Sequence, residues 1–224
     1  MDSKSPIVEP APALNGYFFG YGGISFGGGG QNTTGSFTRN ADPATTDALA
    51  AGGIDPFNIP IDFDLRDSWN YGVGLGLYSS FLGGTRLEIE GASEKTDIGT
   101  LRFAGFLLPS SFQFKTNAVM VNFLKEFPLY GGAIGYTGFG LGHASTEMRG
   151  DIGGVPYGEK SHGFAWQFLL GIDVPVTERL ALFTQYRYRV LPELTYFSEF
   201  GDFYFTTNDQ PSNHALQFGA RLSF

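Results

Sequence analysis

The final eleven residues, HALQFGARLSF at positions 214–224, alternate between two kinds of side chain along their whole length. One parity is apolar, whereas the other is small, polar or charged and includes Gln217 and Arg221. Because successive side chains of a β-strand point to opposite faces, this segment meets an apolar medium on one side only. The pattern is typical of a transmembrane β-barrel strand, and a half-buried strand of a soluble sheet is the alternative.

The composition favours the membrane alternative. Charged residues make up 16% of the chain, against about 25% in soluble domains. Glycine accounts for 33 of 224 residues, about twice its usual share of ~7%. No apolar run approaches the ~18 residues that a spanning helix needs. Since lipid offers no partners to backbone polar groups, a spanning chain without such helices must close its strands into a barrel.

Eight segments have the length and patterning of strands separated by turns. They lie at 16–26, 68–81, 85–95, 112–126, 131–147, 160–174, 178–196 and 214–224. The second and third, fourth and fifth, and sixth and seventh are joined by tight turns, whereas the alternate connections are long and polar. We therefore predict an all-β fold, an eight-stranded antiparallel up-and-down transmembrane β-barrel with short periplasmic turns and long extracellular loops. The barrel domain covers residues 14–224, as one domain with both termini in the periplasm.

The bulky parity of these strands is expected to face lipid. The opposite parity is rich in glycine, which suits the narrow interior of an eight-stranded barrel. The predicted lipid-facing residues are Trp69, Tyr71, Phe164, Trp166, Phe168, Leu170, Tyr186, Tyr188, Phe218 and Leu222. The first and fifth strands are so rich in glycine and aromatic residues that their parity stays unassigned, and we expect a bulge in one of them.

The inward parity also carries charge. Acids and arginines alternate with apolar residues on the third and seventh strands, which lie across the lumen from each other in a ring of eight. Since buried charges must be paired, we predict a polar network that plugs the lumen, with a gated or ion-selective constriction as the alternative. Its predicted members are Arg86, Glu88, Glu90, Gln167, Gln185, Arg187, Arg189, Gln217 and Arg221.

Several of these segments resemble the small outer-membrane β-barrels related to OmpA, the neisserial opacity proteins and bacterial surface antigens. TRLEIEG at 85–91 looks like the third strand of that family, and AVMVNF at 118–123 like its strand with a central asparagine. GGAIGYTGFGLG at 131–142 and FTQYRYRVL at 183–191 are similar to its fifth and seventh strands. The resemblance implies that Phe224 is part of the signal read by the outer-membrane assembly machinery. Larger members of that family append a peptidoglycan-binding domain, and we expect none after Phe224.

The sequence offers little catalytic chemistry. His143, Ser145 and Glu147 share one parity, and the first two are similar to the His-x-Ser of lipid A deacylases. Three alternate residues of one strand stand side by side, which is a poor triad geometry, so we predict polar residues at the barrel rim and no catalytic residue. Asp62, Asp64 and Asp67 could hold Ca²⁺ but lack the turn glycine of an EF-hand. We therefore expect no metal and no cofactor.

The termini and the net charge complete the prediction. Residues 1–13 contain three prolines and lack a signal-peptide pattern, which indicates an extended periplasmic leader in a processed form of the chain. The first long loop, residues 27–67, is too long for a simple connector and is expected to bind a partner or to be disordered. The net charge of −8 argues against nucleic acid.

The expected function is a non-enzymatic, monomeric barrel of the bacterial outer membrane. It would act as a structural surface antigen or as an adhesion protein that contacts an extracellular protein or glycan through its loops. A narrow porin-like channel for ions or small solutes is the second expectation. A lipid-modifying barrel enzyme is the third.

Overall fold

The computed structural model describes residues 14–26, 33–37, 42–65, 68–79, 84–103, 106–108, 110–152, 155–192, 194–200, 203–209 and 211–224. These residues form thirteen strands and one α-helix, α1 (Pro43–Ala51). The strands are β1 (Leu14–Phe26), β2 (Thr33–Phe37), β3 (Ile59–Leu65), β4 (Ser68–Ser79), β5 (Thr85–Phe103), β6 (Phe106–Leu108), β7 (Ser110–Pro128), β8 (Ile134–Ile152), β9 (Val155–Pro175), β10 (Leu180–Val190), β11 (Leu194–Phe200), β12 (Phe203–Asp209) and β13 (Ser212–Ser223). Within the described ranges, no helix is long and apolar enough to cross a membrane. The predicted leader, residues 1–13, lies outside them.

Eight of the strands close into a ring. The order around it is β1, β4, β5, β7, β8, β9, β10 and β13, and β13 pairs back onto β1. Every neighbouring pair is antiparallel. The fold is therefore a closed up-and-down β-barrel with eight strands, which confirms the predicted fold class.

The pairing register fixes the tilt of the strands. Starting at Ser79 of β4 and following paired residues once around the ring leads back to Trp69 of the same strand. One circuit thus advances from position 79 to position 69, a stagger of ten residues. With about 3.3 Å per residue and about 4.8 Å between strands, that stagger tilts the strands by about 40° from the barrel axis.

The two ends of the barrel differ. At one end, here called the turn end, only four or five residues separate β4 from β5, β7 from β8 and β9 from β10. The fifth predicted strand begins at 131, but β8 begins at Ile134 because Gly131 and Gly132 have φ values of 73° and 82°. Such left-handed backbone suits glycine and forms the turn Tyr130–Gly132.

At the opposite end, the loop end, two of the predicted polar connections are built largely as strand. β5 continues to Phe103 and β7 starts at Ser110, while β8 and β9 continue to a hairpin at 152–155. These extensions carry polar residues on both faces, so the apolar alternation that reveals a strand in sequence stops before the backbone pairing does. β10 is shorter than predicted and ends at Val190, two residues before Pro192, which has no N–H for a ladder.

The remaining connections at the loop end form a second sheet on top of the barrel wall. Its strands pair in the order β11, β12, β2, β3 and the outer part of β5, with β6 also on β5. The first long connection contributes β2, α1 and β3 to this region. Within residues 27–67 the structure describes 33–37 and 42–65, and these ranges contain two strands and a helix. Local sequence patterns do not reveal this sheet because its pairings join segments far apart in the chain.

The first strand reverses the expected distribution of side-chain size. Tyr17, Phe19 and Tyr21 are buried inside the barrel, whereas Gly20 and Gly22 lie on its outer parity. The pairing registers of β1 and β8 with their neighbours are unbroken, so the expected bulge is wrong. On β8 the inward parity carries Tyr136, which fills the interior in the same way.

Aromatic rings inside the barrel lie directly over glycines of the neighbouring strands. A Cβ atom added to Gly76 would lie 2.1 Å from the Tyr17 ring, and one added to Gly74 would lie 2.4 Å from the Phe19 ring. On the other side of the lumen, Gly171 faces the ring of Tyr136. The inward glycines therefore make room for rings, and the barrel core is packed in layers of aromatic residue on glycine.

This packing predicts a large difference between two glycine substitutions. Gly74→Ala should lower the free energy of unfolding by about 1–3 kcal/mol, because its Cβ would lie 2.3 Å from the Ile89 carbonyl oxygen and against the Phe19 ring. Gly22→Ala should be neutral or slightly stabilising, since nothing lies within 4 Å of its added Cβ. Urea unfolding of the barrel in lipid vesicles, followed by tryptophan fluorescence, measures both. Equal effects would contradict the packing described here.

Candidate functional site

The barrel lumen brings together all nine residues of the predicted charge network. Each is buried, and each takes part in a hydrogen bond or an ion pair. β5 supplies Glu88 and Glu90 from one side of the ring and β10 supplies Arg187 and Arg189 from the other, because inward positions recur at every second residue along a strand. The network is arranged in layers along the barrel axis.

The layer nearest the turn end is centred on Asp173. Its carboxylate accepts a hydrogen bond from Arg86 Nη1 at 2.7 Å and another from Arg221 Nη1. Arg221 Nη2 also lies 3.6 Å from Glu88, whose carboxylate accepts a hydrogen bond of 2.6 Å from the Tyr17 hydroxyl. One aspartate on β9 thus holds two arginines that belong to two other strands, β5 and β13.

Aromatic rings complete this layer. The Arg86 guanidinium lies 4.3 Å from the centre of the Tyr136 ring, and the Arg221 guanidinium lies 4.0 Å from that of Phe183. A cation over the face of an aromatic ring is attracted by the ring quadrupole, most strongly away from water. The rings therefore stabilise the two arginines and also fill the space around them.

The middle layer is centred on Glu90. Arg187 Nη1 lies 2.7 Å from its carboxylate and Arg189 Nη2 lies 3.5 Å from it, while Asn122 Nδ2 donates to it at 2.9 Å. The Tyr21 hydroxyl also donates to Glu90. The ion pair between β5 and β10 spans the full width of the lumen at this level.

Amide side chains link the middle layer to the wall. Gln167 donates to Asn122 at 2.7 Å and accepts from Arg189 Nε at 3.0 Å. Gln185 donates to Gln217 at 2.8 Å, and Gln217 donates to Asn70 at 2.6 Å. These bonds form two short chains, one across β7, β9 and β10 and one across β10, β13 and β4, so the amide side chains are held in one arrangement.

The layer nearest the loop end mixes an acid with an apolar cluster. Glu94 accepts hydrogen bonds from Ser68 at 2.9 Å and from Asn213 at 2.7 Å. Beside it, Leu191 leaves the end of β10 and packs inside the barrel with Met120 and three alanines. An apolar side chain therefore covers part of the lumen above the charged layers.

The buried charges of the lumen balance. Four arginines (Arg86, Arg187, Arg189, Arg221) are matched by four carboxylates (Glu88, Glu90, Glu94, Asp173), all at most 6% exposed. Not every guanidinium N–H has an acceptor among the described residues, because Arg187 Nε, Arg187 Nη2 and Arg221 Nε make no hydrogen bond there. Those N–H groups are also closed off from solvent, so they are buried donors without an acceptor among the described residues.

Several central members of the network are absent from the sequence prediction. Asp173 shares the inward parity of Gln167 on β9, so the alternation that identified Gln167 could have found it. Asn122, Glu94 and Asn70 follow the same rule on their own strands. Tyr17, Tyr21 and Tyr136 could not be assigned, because their strands carry aromatic residues and glycine on both parities.

The outer wall of the barrel is an apolar band. Eight of the ten predicted lipid-facing residues are exposed on it, and Tyr186 and Tyr188 lie half-buried on the same face. Tyr186 is covered because its hydroxyl bonds His214 Nδ1 at 2.6 Å, and Tyr188 because it packs on Trp166. On β9 the exposed apolar residues run from Phe164 to Val174, and these ten steps correspond to about 25 Å along the axis at the tilt derived above.

The three residues with a hydrolase-like pattern lie on the outer wall and not in the lumen. On β8 the inward positions are Ala144 and Thr146, so His143, Ser145 and Glu147 point outward. Glu147 binds Arg149 of the same strand at 2.6 Å, and the His143 ring lies 5.9 Å from that of His162. Within the described residues, no hydrogen bond joins these three residues into a catalytic relay. Among the described residues there is also no cluster of three His, Asp or Glu side chains that could hold a metal ion.

The last residue lies at the seam of the barrel. The Phe224 amide donates to the Gly16 carbonyl at 3.0 Å, and its ring packs 4.9 Å from that of Phe18. A Cβ on Gly16 would lie 2.6 Å from the Phe224 ring, which explains a glycine at this position. Phe224 therefore joins β13 to β1 at the turn end.

Comparison with known proteins supports the fold. No protein-family model and no curated protein matches the chain. The crystal structure of Neisserial surface protein A is 13% identical, with a TM-score of 0.50 over 95% of this chain and 99% of that chain. This chain is also similar to OprG from Pseudomonas aeruginosa (14% identity, TM-score 0.47, 92% and 96% covered) and to AlkL in lipid bilayers (9%, 0.49, 100% and 97%). The likeness to the neisserial protein shows a shared eight-stranded barrel fold of the outer-membrane type.

Proposed function

We propose that this protein is a non-enzymatic β-barrel of the bacterial outer membrane that carries a surface for extracellular contacts at its loop end. The barrel wall would be embedded in lipid, with the turn end in the periplasm. The loops, which rise above the wall as a second sheet, would meet a protein or glycan partner outside the cell. Assembly would depend on the outer-membrane machinery, with Phe224 as part of its signal.

The observation that carries the proposal is the contrast between the outside and the inside of the wall. The outer face is an apolar band about 25 Å tall, the height of the lipid-facing band of outer-membrane barrels. The inner face holds four arginines paired with four carboxylates. A soluble protein keeps its large apolar side chains inside and its charges in water, and this chain has the reverse arrangement.

The membrane part of the proposal is tested by folding behaviour. A barrel that closes in lipid should require detergent or vesicles to fold, and its folded form should migrate differently from the boiled form on a detergent gel. Protease treatment of intact cells that express the chain should cut the loop end and leave the turn end protected. Folding in plain buffer without detergent would contradict the proposal.

The lumen part of the proposal predicts no steady conductance. The ion pairs centred on Asp173 and Glu90 cross the lumen, and Leu191 covers part of it, so the barrel should not give sustained single-channel steps in planar bilayers. A variant that removes both sides of the middle pair, Glu90→Gln with Arg187→Gln, should fold and raise the conductance above that of the parent. Steps in the parent that are unchanged in the double variant would contradict a plugged lumen.

One observation favours the second candidate, a narrow channel. Buried N–H groups of Arg187 and Arg221 have no acceptor among the described residues, so a rearrangement that opened the network would let water or an anion bind them. In that case the parent would conduct, and its current would select anions. The same bilayer recordings in KCl gradients decide between the two functions.

A further inference from the structure

Among the described residues, the barrel wall extends above the apolar band on one side of the ring only. On β1, β4, β10 and β13 the last exposed or half-buried aromatic residue lies within two residues of the strand end, at Phe26, Trp69, Tyr188 and His214. On β5, β7, β8 and β9 the strands run further toward the loop end and their outward residues become polar. This polar flank sits directly on the upper edge of the band.

Four basic residues lie on this flank. Lys95 pairs with Lys115, Lys115 with Glu147, and Glu147 with Lys160, so they form one row across four strands. Arg149 lies two residues further along β8, and we call Lys95, Lys115, Arg149 and Lys160 the basic flank. Only two other basic side chains lie outside the lumen among those the structure describes, Lys125 and Arg179, although the chain has a net charge of −8.

The basic flank is short of negative charge. Lys95 and Lys115 lie directly opposite each other, an arrangement that destabilises a sheet. Neither lysine makes an ion pair with any described residue, and Glu147 is engaged by Arg149. Asp97, the other carboxylate on this face, accepts a hydrogen bond from Gln113 at 2.8 Å. Among the side chains that the structure describes on this face, four cations and two anions leave an excess of two positive charges, which an anion from outside the chain would offset.

The level of the basic flank matches the head groups of a bilayer. Val119 is the last outward-facing apolar residue on β7, and Lys115 lies four residues beyond it, about 10 Å along the barrel axis at the tilt derived above. The row of paired residues starts at the exposed Trp69 of β4 and climbs about 3 Å per strand toward the loop end at that tilt, so Lys95 and Lys115 lie about 3 Å and 6 Å above Trp69 and Lys160 lies about 12 Å above it. The polar layer of a bilayer is about 5–8 Å thick on each side, and lysine side chains extend along a surface to place their charge in it. Ser93 and Asn117, which share a hydrogen bond of 3.0 Å, lie between the apolar band and the two lysines.

We propose that the basic flank binds the phosphate groups of anionic lipid head groups in the leaflet at the loop end. Lys95 and Lys115 would share one phosphate, and Lys160 and Arg149 would contact its neighbours around the wall. The inference rests on the proposed membrane position of the barrel. The inference adds that anionic lipids are bound at a fixed position against one side of that barrel.

The chain contains its own reporter for this site. It has two tryptophans, and Trp69 pairs directly with Lys95 across β4 and β5. In a Trp166→Phe background, quenching of Trp69 by brominated lipids measures which lipid lies beside Lys95. The probes are vesicles of phosphatidylcholine that contain increasing fractions of brominated phosphatidic acid or, in parallel, of brominated phosphatidylcholine.

Phosphatidic acid is expected to bind beside Trp69 on the order of five-fold more tightly than phosphatidylcholine, the factor that one lysine near a charged surface contributes. Lys95→Gln with Lys115→Gln should abolish this preference and leave quenching by brominated phosphatidylcholine unchanged. Lys125→Gln, which removes an exposed lysine near the turn end, is the matched control and should keep the preference. High salt should weaken it.

Equal binding of the two lipids, or a preference that survives in the double lysine variant, would overturn the proposal. The proposal would also be overturned if a soluble sulfated polysaccharide bound the parent, failed to bind the double lysine variant and left the lipid preference intact. The basic flank would then bind a glycan. If the barrel does not enter the bilayer, brominated phosphatidylcholine will not quench Trp69 at all. That result identifies a failure of the proposed membrane position, whereas equal quenching by both lipids identifies a failure of this inference.

Discussion

Replacing Asp173 with asparagine is expected to lower the free energy of unfolding by about 3–5 kcal/mol, the usual loss when one member of a buried ion pair is removed. The asparagine keeps the shape of the side chain but leaves Arg86 and Arg221 buried without their shared carboxylate. Arg86 keeps Glu126 at 2.9 Å and Arg221 keeps Glu88 at 3.6 Å, but no other described carboxylate makes an ion pair with both arginines. We therefore expect this single-atom exchange to be among the most damaging in the chain.

Urea titration of the barrel folded in lipid vesicles measures the effect of Asp173→Asn. Glu178→Gln serves as the control, because it removes a carboxylate from the exposed turn that follows β9. Adding Arg221→Met to Asp173→Asn should cost less than Arg221→Met costs alone, since the partner is already gone. A loss below 1 kcal/mol for Asp173→Asn, or strict additivity of the two substitutions, would show that Asp173 does not hold this layer together.

Phe168→Arg is expected to lower the free energy of unfolding by about 2–4 kcal/mol, the penalty for an arginine at the middle of the lipid-facing band. Phe168 lies near the centre of the exposed apolar run of β9 and is 41% exposed. In a soluble protein the same change at so exposed a position would be mild. The size of the loss therefore reports whether lipid or water surrounds this wall.

The control for Phe168→Arg is an arginine introduced on the same strand at a different depth in the band. Val174 lies on the same face of β9 at the turn-end edge of the band. Val174→Arg should cost only about 0–1 kcal/mol, because the penalty falls toward the interface. Both variants are compared with the parent by unfolding in vesicles. Equal losses at the two depths would be incompatible with a membrane-embedded wall.

Sequence alone was sufficient to predict the barrel and one half of its lumen. On β5, β10 and β13, charged and apolar residues alternate cleanly, so parity identifies Glu90, Arg187 and Arg221 as inward residues. The same rule failed on β1, where Tyr17 and Phe18 are adjacent aromatic residues on opposite faces. When both faces of a strand carry rings, alternation holds no information, and only the facing glycines of β4 determine which ring points inward.

The partners within the lumen could not be predicted, for a geometric reason. Parity gives the face of a residue, but the partner of a charge depends on its level along the barrel axis, which is set by the ten-residue stagger. Arg86 and Arg221 meet at Asp173 because the strands are tilted and not because of any spacing in the sequence. The second sheet at the loop end has the same origin, since its strands come from connections that lie far apart in the chain.

The seam between β1 and β13 means that the wall has no permanent edge. β1 and β13 satisfy the backbone groups of their outer sides only after residues about 200 positions apart have paired. Removing or displacing any one strand opens two unpaired rows, and lipid has no partner for either. The barrel should therefore form and come apart as a single cooperative unit, and closing the seam, which brings together the most distant segments, should be its slow step.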